Sequence, residues 1–167
     1  MLPDPLHPAI VHFPIVLAVL LPIFALGALL AISRGARPMR AWAIPLAMAA
    51  ALAASAWVAL ATGEAEEDRV EAVVGERVLH EHEEAGERFL LLSGILLLVS
   101  GAGLFGGTVG SAGRLLATAG SVGVLAAAVS VGAAGGELVY RHDAARPYVE
   151  AAAAHAPPPE VERRERD

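Results

Sequence analysis

The stretch LHPAIVHFPIVLAVLLPIFALGALLAI, residues 6–32, decides the class of fold. Beyond His12 it carries no charged side chain as far as Ile32. About 20 apolar residues at 1.5 Å each cross the roughly 30 Å hydrocarbon core of a bilayer. The opening is different: His7, Pro8, His12 and Pro14 crowd one entrance to that span. An imidazole costs free energy in hydrocarbon unless something binds it, so two histidines at one entrance ask for a partner.

No Lys or Arg precedes the span, so the charged start of a secretory signal is missing and the first helix, residues 9–32, is expected to be retained. Pro8 suits a first helical turn, whereas Pro14 and Pro22 should bend the helix. Arg34, Arg37 and Arg40 follow at once. Short arginine-rich connections stay in the cytoplasm, which places the N-terminus outside.

Three more apolar blocks predict helices over about 41–62, 89–109 and 115–134. Trp42 is expected at the inner interface and Trp57 packed against a neighbour. The third helix should reach back to residue 77, and the fourth should continue to His142. A tight inner turn is predicted at Gly110 to Arg114. Between the second and third helices, residues 63–88 carry ten acids against Arg69, Arg77 and Arg88. Val70, Val73, Val74 and Val78 recur there at near-helical spacing, which predicts an amphipathic helix outside the membrane. The expectation is an all-α, polytopic four-helix transmembrane bundle over residues 1–143, with both termini outside. Residues 144–167, rich in Ala, Pro and charge, read as a disordered tail; His155 lies there and is given no role.

Composition narrows the chemistry. Of 167 residues 56% are hydrophobic, above the roughly 45–50% usual in soluble domains. The chain has no cysteine, which excludes disulfides, thiolate ligands and iron–sulfur clusters. A net charge of −6 gives nucleic acid no basic face to bind. No nucleophile, phosphate loop or paired catalytic carboxylates can be read, so no catalytic residue is assigned and the question of an enzyme stays open.

Four spans bring His7, His12, His80, His82 and His142 to the outer side, although they come from three separate segments. At about 1.5 Å per residue, His7, His82 and His142 stand some 40 Å above the inner helix ends and His12 about 31 Å. His12, among Val11, Phe13 and Ile15, is expected to be buried. His80 and His82 are about 200° apart on a helix, so only one can face the bundle. Glu137, closing an apolar span, should either orient a histidine or pair with Arg141 one turn on.

Four motifs carry these residues: LHPAIVHFPI at 6–15, ATGEAEE at 61–67, HEEAG at 82–86 and GGELVYRH at 135–142. Together they resemble the family of predicted bacterial membrane proteins designated domain of unknown function 2231, over roughly residues 6–143. The resemblance implies a four-helix membrane fold and carries no established activity. On it, His12, His82 and His142 are the family's histidines and His80 is an extra. The family usually has Gly after the last histidine, where this chain has Asp143.

Two functional readings follow. In the first, His12, His82 and His142 hold haem b or a mononuclear metal ion, supported by His7, His80 and Glu137, in a redox or electron-transfer subunit of the inner (plasma) membrane. Its partners would be the bilayer and a redox partner or other membrane subunits. In the second, the protein is a non-catalytic structural or accessory subunit whose histidines only hydrogen-bond across the bundle.

Overall fold

The structure, a computed structural model, describes residues 5–155. Its elements are α1 (His7–Ile10), α2 (His12–Ser33), α3 (Pro38–Glu64), α4 (Glu67–Val74), α5 (Glu76–Ala102), α6 (Gly107–Arg141) and α7 (Arg146–His155), with no strand among the described residues. Four helices are long and apolar enough to cross a membrane: α1 and α2 together, α3, α5 and α6. Running alternately up and down, they bring the start of the first and the end of the last to the same end of the bundle. We call it the histidine end, and the other the arginine end.

Pro14 explains the junction between α1 and α2. Lacking an N–H, it cannot bond the carbonyl of Ile10, and its ring crowds that carbonyl. Ile10 is where α1 stops, and α2 begins at His12. Val11 itself keeps helical dihedrals, φ −58° and ψ −21°, so α1 and α2 together make one span. Pro38 opens α3 from the first helical positions, where its missing donor costs little.

The core is lean. Ala18, Leu21, Ala25, Ala49, Leu52, Ala56, Leu96, Ala117 and Val124 line the bundle axis, so the helices approach closely. Phe13, Ile23, Leu26, Leu98 and Leu116 point outward, as they should where lipid rather than water surrounds the helices. Trp57 is 63% exposed and faces outward too, against the expectation that it packs on a neighbour. Trp42 departs the other way: it is 0% exposed, a core residue rather than an interfacial anchor. The buried hydroxyls of Ser93, Thr118 and Ser121 bond carbonyls of their own helices.

The arginine-end turn lies earlier than expected, between α5 and α6 at residues 103–106, and α6 runs straight through Gly110 to Arg114. The difference has a local cause. Arg114 is buried and reaches back to the carbonyl of Gly103 at 2.6 Å, with Ser111 Oγ at 3.3 Å. A cation donating to a carbonyl at a helix C-terminus closes that end. Trp42 donates its Nε1–H to the Ser100 carbonyl at 2.9 Å, and a Cβ on Gly103 would collide with the Trp42 ring.

Beyond the apolar spans, α4 and the first turns of α5 form the expected amphipathic segment. Glu67 and Asp68 favour the first turn of α4 electrostatically. Gly75, at φ 83°, separates the two helices in a conformation an L side chain rarely takes. Val74, Leu79, Leu138 and Ala144 make a second small core there, flanked by Val70, Val73 and Val78. Residues 146–155 form α7 where a tail was expected; Tyr148 donates to Glu66 Oε2 at 2.6 Å and Arg69 stacks on its ring. Pro157 to Pro159 and the charged residues 163–167 lie outside the described residues.

Candidate functional site

His7 stands on α1 and is half-buried against the end of α3. Its Nδ1 lies 2.8 Å from the Ala59 carbonyl and 3.4 Å from Thr62 Oγ1. A carbonyl only accepts, so Nδ1 carries the hydrogen and donates it. In the neutral ring Nε2 then keeps its lone pair. The ring rests on Gly63, where a Cβ would come within 3.2 Å of His7 Cε1.

His82, from α5, repeats the arrangement on the other side of the bundle. Its ring rests on Gly135 of α6, where a Cβ would come within 3.2 Å of Cε1. The two imidazoles meet edge to face with centroids 6.4 Å apart and an interplanar angle of 87°. Nδ1 of His82 is buried and has no hydrogen-bond partner. Buried polar atoms are nearly always satisfied, so an orphaned ring nitrogen stands out among the described residues.

The four sequence motifs therefore resolve into two seats: the first histidine of LHPAIVHFPI sits on the glycine of ATGEAEE, and the histidine of HEEAG on the first glycine of GGELVYRH. Beside His82 opens a cavity of about 170 Å³, lined by Arg77, Glu81, Ala134, Glu137 and His142 as well. His142 thus shares one wall with His82, in keeping with their common depth.

The other expected residues are placed differently. His12 is exposed on the outer surface of α2 rather than buried, and Glu137 does not hydrogen-bond it. Glu137 instead accepts from Arg141 at 2.9 Å, the pairing one turn on. His80 points away from the bundle towards Glu83 at 4.0 Å and Glu84 at 3.6 Å, which leaves His82 as the inward one of the two. No group of three or more metal-type side chains gathers among the described residues. His12, His82 and His142 do not converge as a trio; His7, His82 and His142 form a chain of neighbours with His82 in the middle.

Sequence reasoning assigns His7 only a supporting place and misses Gly63 and Gly135 altogether. Part of the signal is there: both glycines lie within the four motifs, and that of Gly135 ends on His142. Gly132 and Gly136, four apart on α6, have no neighbouring group within 4 Å of their Cβ positions.

No curated protein and no solved structure matches the chain. The sequence model described as "Predicted membrane protein (DUF2231)" matches residues 3–146, the whole bundle with both histidine seats, and the chain belongs to that family.

Proposed function

We propose that this membrane protein binds a metal ion at its histidine end, with His82 as the central ligand. The observation that carries the reading is the buried, unpartnered Nδ1 of His82, a residue whose ring neighbours that of His7 and which lines a cavity with His142. Imidazole nitrogen suits Cu, Zn, Fe and Ni, and the chain has no thiolate to compete with it. An ion is favoured over haem. The cavity of about 170 Å³ is below the roughly 300 Å³ at which pockets for larger organic ligands begin. A macrocycle would also have to push apart a pair of rings that already touch.

A purely structural role has one observation in its favour, the bond from His7 to the Ala59 carbonyl. His82 has no such bond, which is why the ligand reading is preferred. Purification in detergent with elemental analysis and an absorption spectrum tests it. We expect about one ion per chain, lost in His82→Ala. Copper or iron would support a redox subunit, zinc would not. A colourless protein that stays metal-free after reconstitution overturns the proposal.

We further place the protein in the inner membrane with the histidine end on the non-cytoplasmic side. Arg34, Arg37, Arg40 and Arg114 mark the opposite end, and no acid stands between Arg34 and Gly63 or between Arg88 and Gly136. A compartment-sensitive reporter fused after Asp167 should work only outside the cytoplasm. Activity confined to the cytoplasm would reverse the orientation.

A further inference from the structure

We infer that His7 and His82 are together the ligand pair, so that one bound ion ties α1 to α5; this rests on the metal-binding reading above. Four observations converge. His7 donates through Nδ1 to a backbone carbonyl, the usual way in which a metal-binding histidine is oriented and its other nitrogen left to the metal. Across from it, His82 has a buried ring nitrogen with no partner. The two rings are also neighbours: their centroids lie 6.4 Å apart, and one ring has to turn its nitrogen edge towards the other for both lone pairs to meet a shared ion. Finally, both rings are set in place by positions without a side chain, Gly63 and Gly135.

Two protein nitrogens leave open coordination positions, to be filled by water or by a small ligand from the adjoining cavity. Among divalent first-row ions a site of this kind favours Cu(II). The mechanical consequence concerns α1. It is the single turn that opens the first span, and His7 bonds it to the end of α3. An ion shared with His82 adds a second attachment, to a different helix.

The test is a Cu(II) titration of the purified full-length protein in detergent, read by paramagnetic resonance for the number of coordinated nitrogens. The wild type should show two imidazole nitrogens. His7→Ala and His82→Ala should each bind at least tenfold more weakly, while His12→Ala and His80→Ala should match the wild type. His7→Gln serves as the folding control, since its amide can still donate to the Ala59 carbonyl but offers no imidazole. Gly63→Ala, which pushes on a ring it does not replace, should weaken binding several-fold. With Zn(II) in place of copper, a nitroxide at Ala9→Cys should lose mobility in the wild type but not in His82→Ala. Binding that survives His7→Ala but fails in His142→Ala would overturn the pair and leave the metal-binding function standing. A wild type that binds no ion would overturn both.

Discussion

The two ends of the bundle use glycine in the same way and to opposite effect. At the arginine end Gly103 admits the Trp42 ring, and every polar atom drawn into that contact is answered: Trp42 Nε1 by Ser100, and the Arg114 guanidinium by Gly103 and Ser111. At the histidine end Gly63 and Gly135 admit two imidazoles, and one of the buried nitrogens is left without a partner. A satisfied buried network rigidifies a fold, whereas an unsatisfied one persists at the expense of stability. The first end holds the helices together. The second leaves one buried nitrogen unanswered.

That contrast can be broken most forcefully at the arginine end. Gly103→Ala forces a methyl into the Trp42 ring and the Ser100 carbonyl, neither of which can withdraw without losing its bond. We expect a loss of about 3 kcal/mol, at the upper end for overpacked cores, seen as a large fall in the unfolding midpoint in detergent. A midpoint near that of the wild type would show the end to be plastic.

The histidine end should respond with the other sign. His82→Leu removes the unpartnered nitrogen and keeps an apolar side chain over Gly135, so the metal-free protein should gain about 1 kcal/mol. Stability gained as a binding function is lost is the usual signature of a site. A clear loss of stability in the metal-free variant would mean that the ring is already serving the fold.

The smallest effect sharpens the comparison at a turn. Asp143, at φ 61°, is the one non-glycine residue with positive φ among the described residues, and the Ala144 N–H beyond it returns to the Leu138 carbonyl. The left-handed conformation is strained for L residues, less so for Asp and Asn. Asp143→Gly should therefore stabilise by about 0.5 kcal/mol, a shift readable in chemical unfolding. A decrease would show that the Asp143 carboxylate holds the turn itself.

Much of this is legible in the chain. The four spans follow from apolar length, and the extension of α5 beyond the bilayer follows from its run of Glu and the spacing of Val70 to Val78. What cannot be read is which way a ring faces. The α2 segment is apolar on all sides, so its pattern names no buried face, and His12, expected inside, lies outside. The turn after α5 falls elsewhere than expected for a related reason. An arginine such as Arg114 reads as the mark of a solvent-facing connection, but a guanidinium that caps the carbonyl of Gly103 can be buried within a helix. Asp143 stands where the resemblance leads one to expect glycine, and its φ of 61° is a conformation that glycine adopts freely.

The two ring seats also bear on how the protein is made. α2 with α3, and α5 with α6, are helical hairpins whose short turns lie at the arginine end. Each hairpin has its histidine near the start of its first helix and its receiving glycine near the end of its second, about fifty residues later in the chain. A ribosome delivering this protein to the membrane therefore releases each imidazole well before the surface that will hold it. His7 can settle only when the second span is complete, and His82 only when the fourth is. The contact between the two rings joins hairpins emitted one after the other, so it cannot form before the third span has followed the first two.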